Sequence, residues 1–105
     1  TAGANDYGFE HVFARQVQAL ARAGDLLVLH STSGESPNLL EAARAARERG
    51  VRTAALLARG GGRLRAAVDR ALVVPTDRTD LAQEVHLMIG HIVCDFVDRA
   101  WREQT

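Results

Sequence analysis

The sequence contains no lysine: all 13 of its basic residues are arginines. That absence removes a Walker-type phosphate loop, a Schiff-base mechanism and a lysine general base together. Cysteine is nearly missing as well. The single Cys94 has no partner for an internal disulfide, in keeping with a reducing compartment, and the burial habit of free cysteine predicts a small apolar residue packed inside the last helix. No apolar run approaches the roughly 18 residues of a membrane span, and no n-region and h-region pair resembles a signal peptide. A cytoplasmic protein with no membrane partner is therefore expected. Net charge is absent too, since 13 acidic residues balance the 13 arginines, which leaves no general electrostatic pull toward nucleic acid. There are no repeats and no low-complexity segments.

What is present has ordinary proportions. With 105 residues, 47% of them apolar and 25% charged, the chain fits one domain with a core, and neither disorder nor a fibrous structure is indicated. Thr1 to Gly8 is glycine-rich and opens without a methionine, so the chain is expected to begin part-way through a longer pattern.

Periodicity gives the element order. Val12, Phe13, Val17, Leu20 and Ala21 form one stripe of a helix expected from Phe9 to Ala23. Leu26 to His30 reads as a buried strand. A helix from about Pro37 to Arg49 follows, with proline at its start and Gly50 past its end. Val51 to Leu57 is nearly continuous in apolar residues, which suits a strand covered on both faces. A short helix from Arg63 to Arg70, a strand from Ala71 to Val74 and a long helix from Asp80 to about Arg102 complete the chain. The last helix carries a broad apolar face made by Leu81, Val85, Met88, Ile89, Ile92, Val93, Phe96 and Val97. Alternation of this kind specifies an α/β fold, a parallel sheet with right-handed crossovers and helices on both faces. In such sheets ligands sit beyond the carboxyl ends of the strands.

At that edge lies Ser31-Thr32-Ser33-Gly34-Glu35-Ser36, between the first strand and a helix start. Its hydroxyls are donors, Gly34 permits close approach of the backbone, and the helix dipole favours negative charge. A phosphate monoester is the guest this chemistry suits, although hydroxyl residues before a helix also serve as plain caps. Glu35 is expected to point outward, because a carboxylate beside a phosphate is unfavourable, or else to favour the helix N-terminus electrostatically.

The last helix holds Asp80, Gln83, Glu84, His86 and His91. Asp80 with Gln83 three residues on suits a helix start, so capping and function are both open for Asp80. His91 lies among Ile89, Ile92 and Val93, where a packed histidine and an acid/base are the two readings. Eight residues rise about 12 Å along a helix, near the limit for Gln83 and His91 to share one metal within a chain; sharing between two chains is the other arrangement. His11 and His30 have no partner at metal-ligand spacing and read as structural. Gly60-Gly61-Gly62 lacks the spacing of a dinucleotide fingerprint. Phe96 and Trp101 read as packing residues or an oligomer contact.

These residues together resemble the sugar isomerase (SIS) domain family and, within it, the phosphoheptose isomerases. The carriers are Ala4-Asn5-Asp6-Tyr7-Gly8-Phe9 with Phe13-Ala14-Arg15, Gly24-Asp25-Leu26-Leu27, the turn Ser31-Thr32-Ser33-Gly34 with Ser36, Gly61-Gly62, Val74-Pro75, and Gln83-Glu84-Val85-His86 with His91. The resemblance implies a three-layer αβα sandwich of flavodoxin-like type. It further implies isomerisation of sedoheptulose 7-phosphate to D-glycero-D-manno-heptose 7-phosphate through an enediol, in a homotetramer with sites at subunit interfaces. By motif, Ser31, Thr32, Ser33 and Ser36 hold the sugar phosphate, and His91 is the catalytic histidine. Gln83 and His91 contribute to a zinc site, and Asn5, Asp6 and Asp80 belong to the same substrate pocket. Two departures stand out. Family members usually carry asparagine where this chain has Glu35. The family's opening helices, its first strand with a Gly-Asn-Gly-Gly-Ser turn and its helix bearing the remaining His and Glu have no counterpart here, so residues 1–105 are expected to be the C-terminal part of a single SIS domain. The alternatives within the family are a non-catalytic module associating with the bacterial replication initiator, which the Cys94-Asp95-Phe96 region keeps open, and a sugar-phosphate-sensing regulatory domain.

Overall fold

Three short apolar segments can satisfy their backbone groups only by pairing with one another. In the computed structural model, which describes residues 8–104, they form one parallel sheet in the order β1-β2-β3. The strands are β1 (Leu26–His30), β2 (Arg52–Ala58) and β3 (Arg70–Val74). The register runs from Leu26 opposite Arg52 to His30 opposite Leu56, and from Ala54 opposite Arg70 to Ala58 opposite Val74. Parallel neighbours need a long crossover, and each crossover here contains a helix. A single 3-10 turn (Phe9–His11) leads into α1 (Val12–Leu20); α2 (Pro37–Glu48) joins β1 to β2, α3 (Leu64–Ala67) joins β2 to β3, and α4 (Thr79–Gln104) ends the described chain.

Two helices are shorter than their sequence pattern suggests, for local reasons. After Leu20 the chain turns extended at Ala21, and Asp25 takes the Arg22 N–H on its carboxylate at 2.9 Å while returning its own N–H to the Arg22 carbonyl at 3.0 Å. That side-chain turn competes with another helical turn and wins. At the other site, Asp69 accepts the Thr53 N–H at 2.9 Å and gives its own N–H to the Thr53 hydroxyl at 2.9 Å. The chain is extended at Val68 and the exchange anchors Asp69 just before β3, so the expected helix to Arg70 stops at Ala67.

Alternation along each strand sorts the side chains onto two faces. One face carries Leu27, Leu29, Ala55, Leu57 and Val73, and against it pack Ala14 and Val17 of α1, four alanines of α2 and Leu64 of α3. Ala43 and Ala46 are wholly buried. Alanine at the contact lets the helix backbone approach the sheet closely, and Leu57 and Leu64 fill the space that remains. Among the described residues the other face meets the first turns of α4, where Ala82 and Val85 pack on Ala58 and Val74. Helices therefore lie on both faces, but unequally. The 26 residues of α4 run about 39 Å, whereas the seven residues of β2 run only about 23 Å. The helix overshoots the sheet, so the broad apolar face is exposed along most of its length; Phe96 is 74% and Trp101 67% exposed, which leaves the oligomer-contact reading of these two open rather than packing within the chain. At the free edge of β1, Phe13, Val17, Leu20, Leu26, Val28 and Leu39 line an apolar groove of about 540 Å³. No helix among the described residues is long and apolar enough to cross a membrane.

Candidate functional site

The hydroxyl turn grows directly out of β1. The Ser31 N–H extends the ladder by one bond to the Leu56 carbonyl at 3.0 Å, and the chain then reverses. Ser31 Oγ accepts the Gly34 N–H at 2.9 Å and closes the turn, and Ser33 Oγ accepts the Glu35 N–H at 3.1 Å. Ser36 sits at the N-cap of α2, where its carbonyl takes the N–H groups of Leu39 and Leu40 at 3.1 Å each. Its hydroxyl makes no capping bond. It lies instead 3.5 Å from the Ser31 hydroxyl. The first turn of α2 carries no acidic residue, so the positive end of the helix dipole is not offset there.

The opposite wall comes from α4. Gln83, His86, Leu87, Gly90, His91 and Cys94 recur at three- and four-residue intervals and therefore share one face of the helix. With His30, Ser31, Thr32, Ser33 and Ser36 they line a cleft of about 780 Å³. Two contacts place this wall. His86 is 4% exposed, and its Nε2 lies 2.9 Å from the Leu57 carbonyl. A carbonyl only accepts, so Nε2 carries the proton and the ring ties α4 to β2. The His86 and His30 rings meet in a T-shaped arrangement, with centroids 6.1 Å apart and planes at 87°. Arg59, just past β2, supplies the second contact: its N–H donates to the Thr76 carbonyl at 3.2 Å, Nε to the Asp77 carbonyl at 3.2 Å, and Nη2 to the Thr79 hydroxyl at 2.7 Å. The end of the strand is thus fastened to the start of the helix.

The structure brings together Ser31, Thr32, Ser33, Ser36, Gln83 and His91 from opposite ends of the sequence. Asp80 is not among the cleft residues. Its carboxylate is held by Arg78 through Nε at 3.2 Å and Nη2 at 2.7 Å, and that pairing keeps its pKa below the usual aspartate value. Asn5 and Asp6 lie outside the described residues. Glu35 does turn away from the cleft, toward Arg63, with Nε 2.6 Å from Oε2, and this bond lowers its pKa. Among the described residues no group of three His, Cys, Asp or Glu side chains is placed to hold a metal.

Two lining residues depart from the sequence expectation. Cys94 is exposed in the cleft rather than packed in a core, because this part of α4 has run past the sheet. His30, read as structural, is also exposed there. Each carried a usable signal: His30 immediately precedes the hydroxyl turn, and Cys94 follows His91 by one helical step of three residues. Among the described residues the cleft wall holds no arginine and no carboxylate. An anion in it meets neutral hydroxyl donors and a helix N-terminus, with imidazole available for proton transfer.

Known proteins agree with this architecture. A family model described as SIS domain matches residues 1–58. The chain is 52% identical over 101 residues to a phosphoheptose isomerase of a Nitratiruptor species, covering 96% of this chain and 54% of that protein. It is 57% identical over 100 residues to the phosphoheptose isomerase of Pelobacter propionicus, covering 95% and 53%. Among solved structures, a phosphoheptose isomerase from Neisseria gonorrhoeae superposes with a TM-score of 0.88 at 49% identity, covering 91% of this chain and 55% of that one. A second, from Francisella tularensis, gives 0.90 at 39% identity, covering 93% and 53%. The chain spans about half the length of the curated relatives it matches.

Proposed function

We propose that this chain, which belongs to the SIS domain family, is the C-terminal part of a single SIS domain in a phosphoheptose isomerase that converts sedoheptulose 7-phosphate to D-glycero-D-manno-heptose 7-phosphate. The observation that carries this reading is the one cleft in which the hydroxyl turn faces His91 and Gln83. The turn and the α2 N-terminus hold the phosphate and so fix the far end of the sugar. His91 takes a proton from C1 of the ketose while the C2 carbonyl gains one, giving the enediol. Returning a proton to C2 as the C1 hydroxyl loses its own yields the aldose. Imidazole suits a step in which one group must both accept and donate near neutral pH. The Gln83 amide orients the sugar hydroxyls beside it.

Zinc is the metal that the family resemblance implies. Gln83 and His91 supply two donors, whereas a zinc site takes four, so the set is incomplete within the described residues. The exposed apolar face of α4 supports a homotetramer in which neighbouring chains complete the site. Asn5, Asp6 and Asp80 remain substrate-binding candidates. Of these, Asp80 has the weakest support, since Arg78 already holds it. The absence of a membrane-length helix in the described residues fits a cytoplasmic enzyme. The alternatives of an initiator-binding module and a sugar-phosphate sensor are less favoured, because both leave a histidine in the cleft without a task.

The test uses the full-length protein and sedoheptulose 7-phosphate. Aldose formation is expected, and His91→Ala is expected to lower turnover about 10²- to 10⁴-fold while sugar-phosphate binding persists. Normal turnover in that variant removes the role given to His91. Tight binding of the replication initiator without any isomerisation would reverse the ranking of the readings.

A further inference from the structure

The hydroxyl turn does not stand alone at the sheet edge. It lies in backbone contact with the glycine loop that follows β2. A Cβ on Gly34, whose φ is +67°, would sit 1.9 Å from the Gly61 carbonyl oxygen, and one on Gly62 would sit 2.5 Å from the Ser33 carbonyl oxygen. Only glycine at both positions permits the approach. The Leu64 N–H crosses the junction to the Gly34 carbonyl at 2.9 Å. The one charged group on the turn is then engaged by the same loop: Glu35 Oε1 takes the Arg63 N–H at 3.3 Å, and Oε2 takes Arg63 Nε at 2.6 Å. Main chain and side chain of one residue therefore grip both carboxylate oxygens across 28 positions of sequence.

This arrangement answers an electrostatic problem. Glu35 lies between Ser33 and Ser36, both of which line the cleft, so its charge is a near neighbour of any anion bound there. Neither Glu35 nor Arg63 lines the cleft. We propose that Arg63 is a positioning residue for anion binding: it holds the Glu35 carboxylate against the glycine loop and neutralises it, so that the hydroxyl turn presents donors without an opposing charge. The proposal rests on the reading of the turn as the phosphate holder and adds a residue outside the cleft to that function. An exposed ion pair contributes little to folding, and the consequence of this one is expected in ligand affinity rather than in stability.

The experiment measures KM and kcat for sedoheptulose 7-phosphate in the full-length protein, together with the titration of the Glu35 carboxyl followed by NMR without substrate. Arg63→Ala is expected to raise KM roughly three- to tenfold, with kcat within about twofold of wild type, and to return Glu35 to the ordinary glutamate range. Glu35→Gln alone, and Glu35→Gln combined with Arg63→Ala, are expected to keep KM within about twofold of wild type, because the opposing charge is gone. An unchanged KM in Arg63→Ala overturns the proposal. So does a raised KM that the double variant fails to recover, which would make Arg63 a packing residue. Ordinary titration of Glu35 in the wild type also overturns it. A wild-type protein with a depressed Glu35 titration but no affinity for the sugar phosphate separates the two ideas: the pair stands, and the phosphate reading falls together with the affinity claim built on it.

Discussion

The two faces of the sheet are built from similar apolar residues and have opposite fates. On the face covered by α1, α2 and α3, small alanines bring the helix to the strands and leave Leu57 and Leu64 without exposed surface. On the other, α4 buries only Ala82 and His86 and carries Phe96, Val97 and Trp101 into the open. Apolar residues thus serve two ends in this chain. One face is a closed core that needs nothing further. The other is a surface whose apolar stripe has no cover within the described residues, and the cleft sits along it. The candidate site lies where the packing is unfinished.

This contrast is tested most directly at the core. Leu57→Ala is expected to cost about 2–5 kcal/mol, measured by denaturant or thermal unfolding; a loss below about 1 kcal/mol would mean the covered face is not the stabilising one. Phe96→Ala removes a larger side chain from the open face and is expected to change unfolding by no more than about 0.5 kcal/mol under conditions where the chain is monomeric. For the proposed homotetramer the same change is expected to weaken association, read by sedimentation, and full retention of any oligomer would detach α4 from the interface role. The smallest effect lies on the outside of α2. There the hydrogen bond from Arg44, with further help from its charge and that of His11, lowers the Glu41 pKa from its ordinary value of 4.5. A carboxyl with a depressed folded value stabilises at pH above its unfolded value, and that contribution is lost as pH falls through the folded value. Glu41→Gln should therefore lower stability slightly above about pH 4.5, where the ionised carboxyl contributes, leave stability nearly unchanged below the folded value, and so flatten the fall between the two.

Much of this was legible in the residues, for reasons that differ from element to element. The strands were visible because β1 and β2 are nearly all apolar, and the α2 boundaries because Pro37 and Gly50 mark them. The ends of α1 and α3 were not, because Asp25 and Asp69 act through hydrogen bonds to Arg22 and Thr53, and Thr53 is 16 residues away from Asp69. In the site, the hydroxyl turn could be found by composition and His91 by resemblance. Cys94 was misplaced because its type favours burial, while exposure is decided by how far α4 extends past the strands.

Residue types and short spacings were enough to give the alternating elements, to mark Ser31 to Ser36 as a candidate anion-binding turn and to exclude lysine chemistry. Tertiary packing alone shows that Gln83 and His91 face that turn, that His86 and not His91 is the buried, hydrogen-bonded histidine, and that Arg63 takes up the Glu35 charge. Those outcomes depend on which segments the sheet register and the helix crossovers bring together, and no local pattern encodes a contact across 28 or more residues.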